Sequence, residues 1–146
     1  CDKQAQAIEA TRVRLAAACA SSSLRIDWHL GCHCELLEGL EAASATLIVF
    51  NLGYLPGGDK SVVTTAETSL RALVAAERAV RAGGCVSVTL YPGHDEGRRE
   101  EEALLAHAAA LPQGEWSVYH TTWLNQLGKR SGRRAPSLLL LQRMHA

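Results

Sequence analysis

What most limits the fold is the sequence on either side of Asn51. An apolar run, Ala45 to Phe50, leads straight into Asn51-Leu52-Gly53-Tyr54-Leu55-Pro56-Gly57-Gly58-Asp59-Lys60, and a long Ala/Leu/Arg pattern at helical spacing follows. The order predicted is a buried strand, a loop rich in Gly and Pro, then a helix. That unit belongs to open α/β sheets, whose ligands bind outside the carboxyl ends of the strands. A polar Asn51 at that edge, followed by an aromatic residue and a tight turn, marks a site as well as a connection.

The same alternation runs along the rest of the chain. Asp2 to Ala20 carries Ala5, Ile8, Leu15, Ala16 and Cys19 at helical spacing, interrupted by Arg12 and ended by Ser21-Ser22-Ser23. Leu24 to Leu30 alternates apolar and polar residues, as a strand with one wetter face does. Gly31-Cys32-His33 reads as a turn and Cys34 to Leu40 as a short helix. Ala45 to Phe50 reads as a strand buried on both faces, at the centre of a parallel sheet. Thr64 or Thr65 is a natural N-cap, and Thr64 with Glu67 fits a capping box. That helix runs to Ala82, where Gly83-Gly84 stops it. Cys85 to Tyr91 is the next strand, Pro92-Gly93 a turn, and Gly97 to Ala110 a helix ended by Pro112. Trp116 to Thr122 and Ser137 to Arg143 follow as two strands with no helix between them, which suggests an antiparallel pair at one sheet edge. The fold class is therefore α/β, a parallel sheet with helices on both faces. By alternation alone it suits a class I methyltransferase or a Rossmann dehydrogenase. The closing strand pair favours the first, and the Gly-x-Gly-x-x-Gly signature of the second is absent.

With 146 residues the chain is long enough for one domain, residues 1–146, around a single core. Its formal net charge is zero, so it is no generic polyanion binder. Nucleic-acid contact must rest on a local patch, and the densest is Lys129, Arg130, Arg133 and Arg134, which a solvated loop would equally explain. Five cysteines at spacings that match no disulfide framework favour a reducing compartment. Cys32-His33-Cys34 has the chemistry of a metal ligand set but lacks a second pair a short way off, so it reads as structural or cofactor-lining, with no metal expected. Gly57 and Gly58 permit close backbone approach without forming a phosphate loop. Asp59 suits a proton acceptor or ammonium holder and Lys60 a phosphate contact, although a salt-bridged loop explains both. Asp2, taken alone, reads as a helix N-terminal acid.

The block Asn51 to Lys60, taken with Tyr91-Pro92-Gly93-His94, resembles a small family of class I S-adenosylmethionine methyltransferases. That family was long labelled as rRNA methylases and is understood as the tRNA 5-(aminomethyl)uridine wobble-base N-methyltransferases. The resemblance runs from Asp2 to about Leu141. It implies S-adenosylmethionine as cofactor, a tRNA anticodon loop as partner, and conversion of 5-aminomethyluridine to 5-methylaminomethyluridine. It turns Asp2 and Gln4 into cofactor contacts, where the family has Asp-Ile-Gln and this chain has Lys3 in the middle. The family's Asp-Ser-His turn beside the adenine becomes Gly31-Cys32-His33, keeping only His33. Asn51 and Tyr54 match the ends of the Asp/Asn-Pro-Pro-Tyr motif of amino-methylating enzymes. The resemblance gives Asn51 a cofactor contact and the orientation of the amine, and Tyr54 the packing on the uracil; bulk water or Asp59 is expected to remove the proton. Substrate contacts are expected from the residues themselves at Gly57, Gly58, Lys60 and His94 of this crevice and at Lys129, Arg130 and Arg133 of the basic patch, where the chain departs from an Asn-rich family loop that only Asn125-Gln126 match. In the family a further strand–helix–strand unit of about 30–50 residues precedes this point. It carries the first cofactor loop, so these residues by themselves are expected to be inactive. A homodimer is allowed, and the cytoplasm is the compartment expected, with a plastid as the alternative, since the Ala- and Arg-rich composition fits a GC-rich bacterium or a plastid-bearing eukaryote equally. Methylation of another RNA such as rRNA, methylation of a small amine, and a non-catalytic binding fold are the competing functions.

Overall fold

The computed structural model describes residues 1–18, 25–52, 64–125 and 135–145. Four helices and four strands follow in order: α1 (Ala5–Ala18), α2 (His33–Glu38), β1 (Ala45–Asn51), α3 (Ala66–Ala79), β2 (Val80–Leu90), α4 (Asp95–Ala109), β3 (Trp116–Thr121) and β4 (Ser137–Arg143). The strands form one sheet in the order β1-β2-β4-β3. β1 and β2 run parallel, whereas β4 is antiparallel to both β2 and β3. The expected antiparallel ending is present, and β4 has the expected bounds.

The core lies on one face of this sheet. Ile48 and Phe50 of β1, Val86, Val88 and Leu90 of β2, and Leu139 and Leu141 of β4 are buried there against Leu73 of α3 and Leu104 of α4. Each fully buried side chain of this kind contributes roughly 1.5–3 kcal/mol. Arg78 donates to the carbonyls of Glu38 (2.9 Å) and Leu40 (2.7 Å), so the end of α2 is held by the last turn of α3. Arg143 does the same for the end of α3, donating to Glu77 O and Val80 O at 3.1 Å while its guanidinium lies over Trp116.

Several expectations are corrected. β1 is not buried on both faces. It is an outer strand of this sheet, and Leu47 and Val49 are 58% and 64% exposed. An unbroken run of Thr, Leu, Ile and Val does not reveal which alternate residues meet a helix, and here only the face bearing Ile48 and Phe50 does. Residues 25–29 form no strand. Leu30 makes an isolated parallel bridge to Asp2, through Asp2 N to His29 O (3.1 Å) and Gly31 N to Asp2 O (2.9 Å). Alternation by itself cannot make a strand without a partner to complete the ladder. α3 stops at Ala79, before the Gly pair, because Val80 already has extended backbone and pairs with Ala45. Gly83 (φ 74°) and Gly84 instead sit in the irregular stretch before Leu47 pairs with Cys85. The capping box uses Thr65 with Thr68 rather than Thr64 with Glu67. α2 and α4 each begin earlier than expected, with Cys32 and His94 at their N-caps.

Candidate active site

The parallel pairing of β1 and β2 decides the geometry of the site. Asn51 lies beside Thr89, so the carboxyl ends of both strands emerge at the same sheet edge. Tyr91, two residues past Thr89 along the chain, returns its hydroxyl to donate to Asn51 Oδ1 at 2.8 Å. An amide oxygen has two lone pairs, so this bond fixes the amide plane and leaves a second acceptor position on the same atom. The sequence reading treated Tyr91 only as part of the strand exit. The signal that would have singled it out is its offset of two from Thr89, which returns it to the Asn51 face.

His94 closes the turn after Tyr91. Its Nδ1 accepts from Gly97 N at 3.0 Å and caps α4, so the ring is a built part of that turn. Gly97 lies so close to Tyr91 that an added Cβ would collide with the Tyr91 carbonyl oxygen. Glu96 accepts from Ala66 N (3.3 Å), joining the first turns of α3 and α4.

Of the residues expected to hold a cofactor, Asp2 is bridged to Leu30, three positions before His33. Asp2 runs beside Leu30, and its Oδ1 accepts from Gln4 N at 2.8 Å, a local turn that precedes α1. One carboxylate oxygen is thus engaged by the main chain ahead of α1, whose own first turn holds no acidic residue. His33 meets the ring of Phe50 edge-on, at 6.1 Å between centroids and 84° between planes. Its Nε2 is buried and has no hydrogen-bond partner among the described residues. Burial pushes the His33 pKa down, and the Lys3 ammonium adds to this, with a smaller opposing contribution from the Thr68 main chain. A neutral imidazole with an unused buried nitrogen is suited to the edge of a heterocycle. Cys32 Sγ lies 3.0 Å from Cys34 Sγ. Among the described residues, no group of three or more His, Cys, Asp or Glu side chains is placed to hold a metal ion.

Tyr54, Gly57, Gly58, Asp59 and Lys60, and also Lys129, Arg130, Arg133 and Arg134, lie outside the described residues.

Residues 1–137 match the family described as "Putative rRNA methylase". The chain belongs to that family. The tRNA (mnm(5)s(2)U34)-methyltransferase of the Arabidopsis thaliana chloroplast is 39% identical to it over 127 residues. That match covers 86% of this chain and 46% of the relative, so the chain spans about half the length of the curated relative it matches. A family structure from Clostridium thermocellum superposes with a TM-score of 0.81 at 28% identity, covering 98% of this chain and 73% of that one. A methyltransferase from Streptococcus mutans in complex with SAH superposes with a TM-score of 0.77 at 26% identity, with the same coverage of both chains. The fold is that of a class I, Rossmann-like methyltransferase. In that fold β1 and β2 are neighbouring parallel strands, and their tips carry the Asn51–Tyr91 pair.

Proposed function

We propose that this chain is part of an enzyme that N-methylates 5-aminomethyluridine at the wobble position of tRNA, giving 5-methylaminomethyluridine. The observation that carries the reading is the hydrogen bond from Tyr91 to Asn51 Oδ1 at the shared strand edge. Family membership and the chloroplast tRNA methyltransferase at 39% identity support it. The SAH complex of the S. mutans relative supports S-adenosylmethionine as the cofactor. The residues present fit such a group, because the buried His33 Nε2, which has no hydrogen-bond partner among the described residues, is free to meet an adenine edge. His33, Cys32 and the Asp2–Gln4 turn would hold the adenosine portion, and Asn51 would face the reacting end.

S-adenosylmethionine supplies an activated methyl group when bound. The protein's part is then alignment, worth about 7–11 kcal/mol of a barrier in well-oriented systems. Asn51 Oδ1, its plane set by Tyr91, accepts a hydrogen bond from the amine and aims the nitrogen lone pair. An alkyl amine is protonated in water, and desolvation at the strand edge depresses its pKa and supplies the free lone pair. Tyr54 packs on the uracil, and Asp59 or water takes the proton. Gly57, Gly58, Lys60 and His94 contact the nucleotide, while Lys129, Arg130 and Arg133 contact phosphates of the anticodon loop. The compartment is the cytoplasm or a plastid, with the chloroplast relative favouring the second. No described helix is long and apolar enough to cross a membrane.

The family description favours a second reading, an rRNA substrate. Nucleoside mass spectrometry separates the two. Incubation of the enzyme of which this chain is part with S-adenosylmethionine and tRNA bearing aminomethyluridine should convert that nucleoside to its methylated form, and Asn51→Ala should cut conversion sharply. Methyl transfer to rRNA with none to this tRNA would overturn the assignment.

A further inference from the structure

Cys32 and Cys34 flank His33, and their sulfurs are 3.0 Å apart. A disulfide bond is about 2.05 Å long, so the pair lies roughly one ångström short of bonding distance. The two thiols differ in environment. Cys34 is buried, at 2% exposure, while Cys32 at the N-cap of α2 is reached by solvent. Burial pushes the Cys34 thiol up, and the neighbouring Cys32 adds to that. For Cys32, burial also raises the thiol, but the bond with Cys34, main-chain contacts to Cys34 and Glu35, and the Lys3 ammonium together bring it below its ordinary value. An accessible thiol biased toward thiolate beside a buried protonated one is the arrangement of attacking and resolving cysteines. Cys1 and Cys85 have no comparable thiol partner among the described residues: Cys1 donates to Gly31 O and Cys85 to Val86 O.

We propose that Cys32 and Cys34 form a reversible thiol–disulfide site, oxidised by small disulfides such as glutathione disulfide, and that closing the bond weakens cofactor binding at His33. The Cys32 thiolate attacks one sulfur of glutathione disulfide. That S–S bond breaks, one glutathione thiolate leaves, and Cys32 carries a mixed disulfide. Cys34 then gives its proton to solvent and attacks the Cys32 sulfur, expelling the second glutathione. Two protein thiols are oxidised to one disulfide, and one glutathione disulfide is reduced to two glutathiones. Cys34 needs no exposure for this, because its target is the adjacent sulfur. The main chain of His33 lies inside the ring that the new bond closes, so drawing the sulfurs together re-aims the imidazole on the Phe50 side. The effect on cofactor binding rests on the function proposed above; the thiol chemistry does not.

The test is intact-mass spectrometry of the protein incubated with glutathione disulfide, followed by peptide mapping. The wild type should lose the mass of two hydrogens, with the bond mapped to Cys32 and Cys34 and reversed by dithiothreitol. Cys34→Ser should stop at a glutathione adduct on Cys32. Calorimetry should find S-adenosylmethionine bound about tenfold more weakly by the oxidised wild type than by the reduced, a coupling of ordinary size. A stable glutathione adduct on wild-type Cys32, or reaction at Cys1 or Cys85 while this pair stays reduced, would overturn the site. Unchanged affinity after the bond has formed would overturn its coupling to His33. These measurements use the enzyme of which this chain is part; if it bound no S-adenosylmethionine when reduced, the proposed function would fail instead, and the mass measurement would still decide the thiol chemistry.

Discussion

Tyr91 and Asn51 lie 40 residues apart in sequence, yet the tyrosine hydroxyl donates to the asparagine Oδ1 at 2.8 Å across the tips of two parallel strands. The bond turns a rotatable amide into a fixed acceptor. It also makes the second strand exit part of the site through a side chain, independently of any contact His94 makes with substrate.

Removing the Tyr91 hydroxyl tests that relationship. A net hydrogen bond is worth about 1 kcal/mol, so Tyr91→Phe should lower kcat by roughly five- to tenfold. The Kd for S-adenosylmethionine should be unchanged. Asn51→Ala should cost far more, and in the Asn51→Ala background Tyr91→Phe should add nothing. Steady-state kinetics on the four proteins of this cycle give the answer.

Gly97→Ala pits two effects of opposite sign against each other. Alanine gains up to about 1 kcal/mol over glycine within a helix. Its Cβ would strike the Tyr91 carbonyl oxygen, a backbone atom that cannot swing aside, and overpacking costs about 1–3 kcal/mol. The clash should win. Thermal unfolding should show a lower Tm, and turnover should fall with it because Tyr91 must move.

Buried carboxylates tie α4 to its neighbours. Glu100 is 3% exposed, and its Oε1 accepts from Ser69 Oγ at 2.6 Å. Glu101 is 2% exposed, and its Oε1 accepts from Ser137, whose oxygen also meets His120 Nε2 at 3.0 Å. Ser69→Ala leaves a buried acceptor without its donor and should destabilise the fold by about 1–3 kcal/mol. Urea denaturation measures the loss, and Ser69→Thr, which keeps the hydroxyl, should recover part of it.

Acid should weaken the fold through His33. Its pKa is held down in the folded chain by burial and by Lys3, so the unfolded chain takes up the proton first. The stabilisation is fully present above the ordinary histidine value of about 6.5 and is lost as pH falls through the depressed folded value. Between about pH 7.5 and about pH 5.5 the wild type should lose more stability than His33→Gln. Equal losses in denaturant titrations would remove His33 as the cause.

Local sequence was most informative where the physics is local. The bounds of β4, the N-cap role of Thr65 as one of two candidates, and the strand ending at Asn51 all follow from runs of side chains and the polar residues that stop them. It failed where a partner decides. Residues 25–30 alternate like a strand but form a single isolated bridge, Leu30 to Asp2, and the run before Asn51 suggested burial on both faces until the sheet order placed β1 at the edge of the described strands.

By itself, then, the sequence determined the α/β class, the family and the presence of Asn51 at a strand end, because periodicity, turn chemistry and a specific residue block are written along the chain. Only the tertiary structure decided that Tyr91 rather than a nearer residue holds Asn51, that His33 keeps a buried nitrogen without a partner among the described residues, and that Cys32 and Cys34 bring their sulfurs together. Those contacts depend on strand register, on which face each side chain takes and on how far each is withdrawn from water, and these quantities exist only once the separate elements have packed.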